Sequence, residues 1–107
     1  MIFIVVKFPV RPEAAASWLG EVAEFTAATR AEPGNLLFEW SRSVDDENEF
    51  VLVEAFRDAA AGGAHVGSDH FAAGVRTMSA LVSDVPRIIN VEVPGQGWSV
   101  MAEIQPS

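Results

Sequence analysis

The chain contains no cysteine and no tyrosine. The first absence excludes disulfides, thiolate metal sites and a cysteine nucleophile. The second excludes a tyrosyl acid. Basic residues are scarce: 7 Lys and Arg stand against 15 Asp and Glu, a formal net charge of −8. That balance repels polyanions, so no nucleic acid and no membrane surface is expected as a partner. No apolar run approaches the roughly 20 residues that span a bilayer. The opening stretch Met1 to Val6 has no basic segment and is too short for a signal peptide, so it reads as a strand of a cytoplasmic protein. Dinucleotide, P-loop and G-x-S-x-G patterns are missing. Gly62-Gly63 and Gly95-Gln96-Gly97 are too short to cradle a phosphate.

Half of the 107 residues are apolar, enough for the core of one domain over residues 1–107. Residues 2–8 are β-branched and aromatic, which predicts a strand. Pro12 and Glu13 start a helix that runs to about Ala31, with Trp18, Val22, Phe25 and Thr29 at helical spacing and Leu19 beside them. Glu32-Pro33-Gly34-Asn35 turns the chain. Strands follow at 36–43 and 49–56, joined through a polar tip at Asp45 to Asn48. Asp58 caps a short, glycine-weakened helix. Ser68 or Asp69 caps another, with Phe71, Val75, Met78 and Leu81 on one face. A fourth strand falls at 87–93, and a short extra one at 98–104. The order is βαββαβ, an α+β ferredoxin-like antiparallel sheet with two helices on one face and a core over residues 1–93.

Those strands carry apolar residues on both faces. Ile2, Ile4, Val6 and Phe8 oppose Phe3 and Val5; Phe50, Leu52 and Phe56 oppose Val51, Val53 and Ala55. Two helices cover one face only, and the other would be an apolar patch of several hundred Å². A second copy is the expected cover, giving a homodimeric barrel with a lined space between the open faces, or a filled dimer core without one.

Polar groups on such strands are candidates for chemistry. Glu54 shares a face with Phe50, Leu52 and Phe56. A carboxyl among apolar side chains can work as acid or base, or can hold a structural bond to an arginine or a backbone amide. His65 and His70 are the only histidines; on one continuous helix they would lie about 140° apart. His65 suits a proton shuttle or ligand-orienting group, and His70 a cap or a surface position. A metal site needs a third ligand and better spacing, so no metal is expected. Trp40 and Trp98 are packing residues or line a ligand space.

Glu32-Pro33-Gly34-Asn35, Phe38-Glu39-Trp40 with Arg42, the strand Phe50 to Phe56, and His65, Ser68, His70 and Phe71 together resemble the antibiotic biosynthesis monooxygenase family, most of all its small quinol monooxygenases. The resemblance spans about residues 1–93. It implies a dimeric α+β barrel that oxidises a small phenolic or quinol-type aromatic with O2, without metal, flavin or heme. It also implies His65 and Glu54 as the catalytic pair, with Trp40, Phe56, His70 and Phe71 walling the substrate cavity. The tyrosine that positions substrate in some members is absent here. The heme-degrading branch carries an asparagine in its first strand, which this chain lacks; His65 replaces that branch's tryptophan and Val75 its ligand histidine. The alternative function is a dimeric module that binds an apolar aromatic metabolite without turning it over.

Overall fold

A computed structural model describes residues 1–107. Strand β1 spans Ile2–Pro9, and a 3-10 helix at Pro12–Ser17 leads into helices α1 (Trp18–Glu21) and α2 (Ala23–Arg30). Strands β2 (Asn35–Arg42) and β3 (Glu49–Phe56) form a hairpin, followed by α3 (Ala59–Val66), α4 (Asp69–Ser79) and β4 (Arg87–Glu92). The sheet order is β2-β3-β1-β4, antiparallel throughout, which is the ferredoxin-like arrangement the element order predicts.

Side chains alternate along each strand, so the register decides which ones meet the helices. Ile4 pairs with Glu54 and Val6 with Leu52, and on the far side of β3 Phe38 pairs with Glu54. Ile4, Val6, Phe38, Leu52 and Phe56 all lie under the helices and are buried. Trp18, Val22, Phe25 and Thr29 reach down from the helical layer and are buried too, as their spacing predicts. The opposite face carries Leu37, Ala55, Phe3 and Val91 in one row and Glu39, Val53, Val5 and Ile89 in the next. Ala55 there is buried and Leu37, Phe3, Val5 and Val53 are half-buried, and exposure rises toward the β4 edge. Ile89 is 63 % exposed and Val91 41 %.

Three expectations are corrected. The single helix expected from Pro12 to Ala31 is three pieces: it starts as a 3-10 helix and breaks again at Val22 (φ −94°, ψ 7°). Leu19 consequently points to solvent. In α4 the core position goes to Gly74 rather than Val75, because α2 and α4 approach so closely that a Cβ on Gly74 would sit 2.7 Å from Cδ1 of Phe25. Residues 98–104 form no strand. Gly95 and Gly97 have φ of +97° and +150° and turn the chain away from β4, leaving Trp98, Val100, Met101 and Ile104 exposed. No helix is long and apolar enough to cross a membrane.

Candidate active site: a buried Glu–His pair tied to a second carboxylate

The site is built where two helix caps meet one turn. Asp58 caps α3 by accepting from the Ala61 amide at 2.8 Å, and Ser68 caps α4 by accepting from the Phe71 amide at 3.1 Å. The Ser68 hydroxyl also donates to the His65 carbonyl at 2.6 Å, which pins the junction of the two helices. The chain therefore bends between His65, in the last turn of α3, and His70, in the first turn of α4. Two rings that one straight helix would point apart come within 6.0 Å of each other. The turn after α2 meets them from the other side. Gly34 packs so tightly on Ala61 that any Cβ there would collide with it, and the Gly34 carbonyl accepts from the Arg57 amide at 2.8 Å. This contact sets Glu32 beside both imidazoles.

One oxygen of Glu32, Oε2, accepts from His65 Nδ1 at 2.7 Å and from His70 Nε2 at 2.6 Å. The other ring nitrogen of His65, Nε2, faces Glu54 Oε1 at 3.9 Å, too far for a hydrogen bond. Aromatic rings enclose the imidazole: Phe56 at 4.8 Å, Phe71 at 5.1 Å and Phe25 at 5.8 Å between centroids. Glu54 and His65 are both buried. No arginine and no backbone amide binds Glu54, so the structural bond considered for it does not exist. Burial, and after it the negative charge of Glu32, push the Glu54 carboxyl up to about 7.

Five of the six expected site residues gather around one centre: His65, His70, Phe56 and Phe71 meet there, with Glu54 beneath. Trp40 does not join them. Its indole N–H donates to Thr26 Oγ1 at 2.9 Å, and its ring packs on Phe8, Trp18 and Phe38, with Phe38 and Phe25 standing between it and His65. The location also differs from the expected space between open sheet faces. Glu54 and Phe56 share strand parity with the buried Phe50 and Leu52, so the cluster lies between sheet and helices. Glu32 was legible only as part of a turn; its role depends on contacts across 33 and 38 positions of chain.

Glu32, His65 and His70 offer three ligand atoms within 4.8 Å of one another, the donor set that a divalent cation would use. Their spacing here is that of hydrogen bonds. Two ligands on one cation at about 2.1 Å stand roughly 3 Å or more apart, against 2.6 and 2.7 Å for these pairs. Two clefts reach the cluster from outside, and His70 borders both. One, of about 340 Å³, is lined by Glu32, Gly34, Arg57, Ala61 and Ser68; the other, of about 230 Å³, by Phe25, Glu24 and Gly74.

The fold and this site define a class: a small α+β sandwich with a buried Glu–His pair between its layers. The sequence profile of the antibiotic biosynthesis monooxygenase family matches residues 1–77, and the chain belongs to that family. It is 30 % identical over 93 residues to the "Putative monooxygenase YcnE" of Bacillus subtilis (strain 168), covering 87 % of this chain and 98 % of that one. Its backbone also matches the crystal structure of a Caulobacter crescentus CB15 protein described as a putative antibiotic biosynthesis monooxygenase. That match has a TM-score of 0.82 and 25 % identity, over 88 % of this chain and 90 % of the other. A Nitrosomonas europaea protein of the same description shares the fold, with a TM-score of 0.80 at 22 % identity, over 87 % and 98 % of the two chains.

Proposed function

We propose that the chain is a monooxygenase that oxidises a phenol or quinol with O2 and needs no metal or organic cofactor, and that His65 and Glu54 carry its proton chemistry. The observation behind this reading is the pairing of a bare imidazole nitrogen with a buried carboxyl whose pKa is about 7, inside a wall of phenylalanine. Because Nδ1 of His65 donates to Glu32, the neutral ring carries a lone pair on Nε2. A substrate hydroxyl seated beside the pair, within hydrogen-bond reach of both Nε2 and Glu54, gives its proton to Nε2. The resulting phenolate passes one electron to O2, and the phenoxyl radical and superoxide join at a ring carbon bearing hydrogen. The protonated Glu54 carboxyl donates to the outer peroxide oxygen, and its carboxylate takes back the ring proton as the O–O bond breaks. One oxygen atom becomes the new carbonyl; the other leaves as hydroxide and takes the proton held on His65 Nε2, so water forms with the two hydrogens removed from substrate and both His65 and Glu54 return to their starting states.

Phe56, Phe71 and His70 flank the substrate in this reading, which approaches past His70. The larger cleft there falls at the low end of the roughly 300–1,000 Å³ usual for small-molecule sites. The uncovered sheet face is the surface on which a second copy docks, with Phe3, Val5, Val53 and Ile89 at its centre, making a homodimer whose two sites lie outside the interface. Turnover of a panel of hydroquinones and anthrols under 18O-labelled O2 tests the activity. One labelled atom in the product quinone is expected. Ligand-dependent thermal stabilisation with no product from any compound would instead make the chain a binding module.

A further inference from the structure

We propose that Glu32 and His70 are positioning residues that hold His65 in the one tautomer able to act as a base toward the Glu54 side. The inference deepens the proposed monooxygenase reading and rests on it for its kinetic part only. An imidazole that donates from Nδ1 is bare at Nε2, and the group that accepts from Nδ1 makes that choice. Here the acceptor is Oε2 of Glu32, 2.7 Å away, and the nitrogen left bare is the one facing Glu54. A buried ring without such an acceptor could carry its hydrogen on either nitrogen, and one of the two forms is useless as a base.

A carboxylate can rotate, so a single hydrogen bond would not fix it. His70 supplies the second anchor. Its Nε2–H donates to the same Oε2 at 2.6 Å from the opposite helix, so that oxygen is held between the two rings. Side-chain exposure rises along this chain of contacts, from 5 % at His65 through 13 % at Glu32 to 28 % at His70. The reacting ring is thus steered by groups nearer the surface, which act on the proton through His65. When His65 takes a proton at Nε2, the Glu32 carboxylate stabilises the imidazolium in place.

The first test needs no substrate. The chain has only two histidines, so the 15N spectrum of the chelator-treated, untagged protein contains two imidazoles, told apart by His70→Gln. The expected pattern is a protonated Nδ1 and bare Nε2 on His65, and a protonated Nε2 on His70. A hydrogen on Nε2 of neutral His65 would overturn the proposal whether or not the chain has any activity. The second test is kinetic. Glu32→Gln should mix the His65 tautomers and lower kcat by roughly a hundred-fold with KM little changed. His70→Ala should lower kcat less, and His70→Gln, which keeps an N–H near the same point, should restore it. Full kcat in Glu32→Gln with an altered tautomer would also overturn it. A protein inactive on every substrate, with the expected spectrum, would refute the oxidation and leave the tautomer assignment standing.

Discussion

The layer between sheet and helices has two halves that share a strand but not a purpose. At one end of β3, Phe50 and Leu52 sit in an aromatic cluster with Phe8, Trp18 and Trp40, where ring centroids lie 5.3 to 5.9 Å apart. At the other end, two and four positions on, Glu54 and Phe56 sit under His65. Both halves are buried. The aromatic half satisfies its packing and leaves only the Trp18 and Thr29 polar atoms without a partner. The His65 half buries a carboxyl with no hydrogen bond, at a cost that burial in the first half shows is not demanded by the fold. That buried carboxyl is the group to which the proposed function gives a proton-transfer role.

Substitutions can separate the two halves. The largest expected effect is on rate: His65→Ala should lower turnover by about 10² to 10⁴-fold, as loss of a general base does, while the melting curve stays cooperative. Trp18→Ala should do the reverse. It removes a fully buried indole and should cost about 3–5 kcal/mol in urea unfolding, with turnover per folded molecule unchanged.

Glu54→Gln should reveal the strain of the buried carboxyl through pH. The groups facing Glu54 are His65 and, beyond it, Glu32. The folded pKa of about 7 lies above the ordinary 4.5, so the folded protein holds a proton that the unfolded chain releases. Stability from this group is therefore full below about pH 4.5 and falls as pH rises to about 7, by up to about 3 kcal/mol. The variant should lack that decline, matching wild type near pH 5 and exceeding it near pH 8 in denaturant titrations. The smallest effect concerns the frame both halves share. Gly74→Ala drives a Cβ into Phe25 and should cost about 1–3 kcal/mol, read as a lower urea midpoint at unchanged slope.

Much of the frame was legible because sheet periodicity survives in the sequence. The strands at 49–56 and 87–93 fall within a residue of β3 and β4, and the parity that groups Glu54 with Phe50 and Leu52 is the parity observed. What parity cannot tell is which face the helices take, so it could not say that Glu54 and Phe56 lie on the helix side of the sheet. Nor can it tell which end of a strand a side chain serves, which is why Trp40 was grouped with His65. Glu32 escaped notice because a Glu-Pro-Gly turn reads as punctuation, and its partners lie far along the chain. The two histidines looked divergent on one helix; the Ser68 cap breaks that helix and turns them to a common point.

The central claim is that His65, set beside Glu54, takes the substrate proton that lets O2 react. Oxygen consumption with the most active hydroquinone or anthrol, compared between wild type and His65→Ala at equal folded concentration, tests it most directly. The account predicts uptake by the wild type and its near-complete loss in the variant; equal uptake by the two proteins would contradict it.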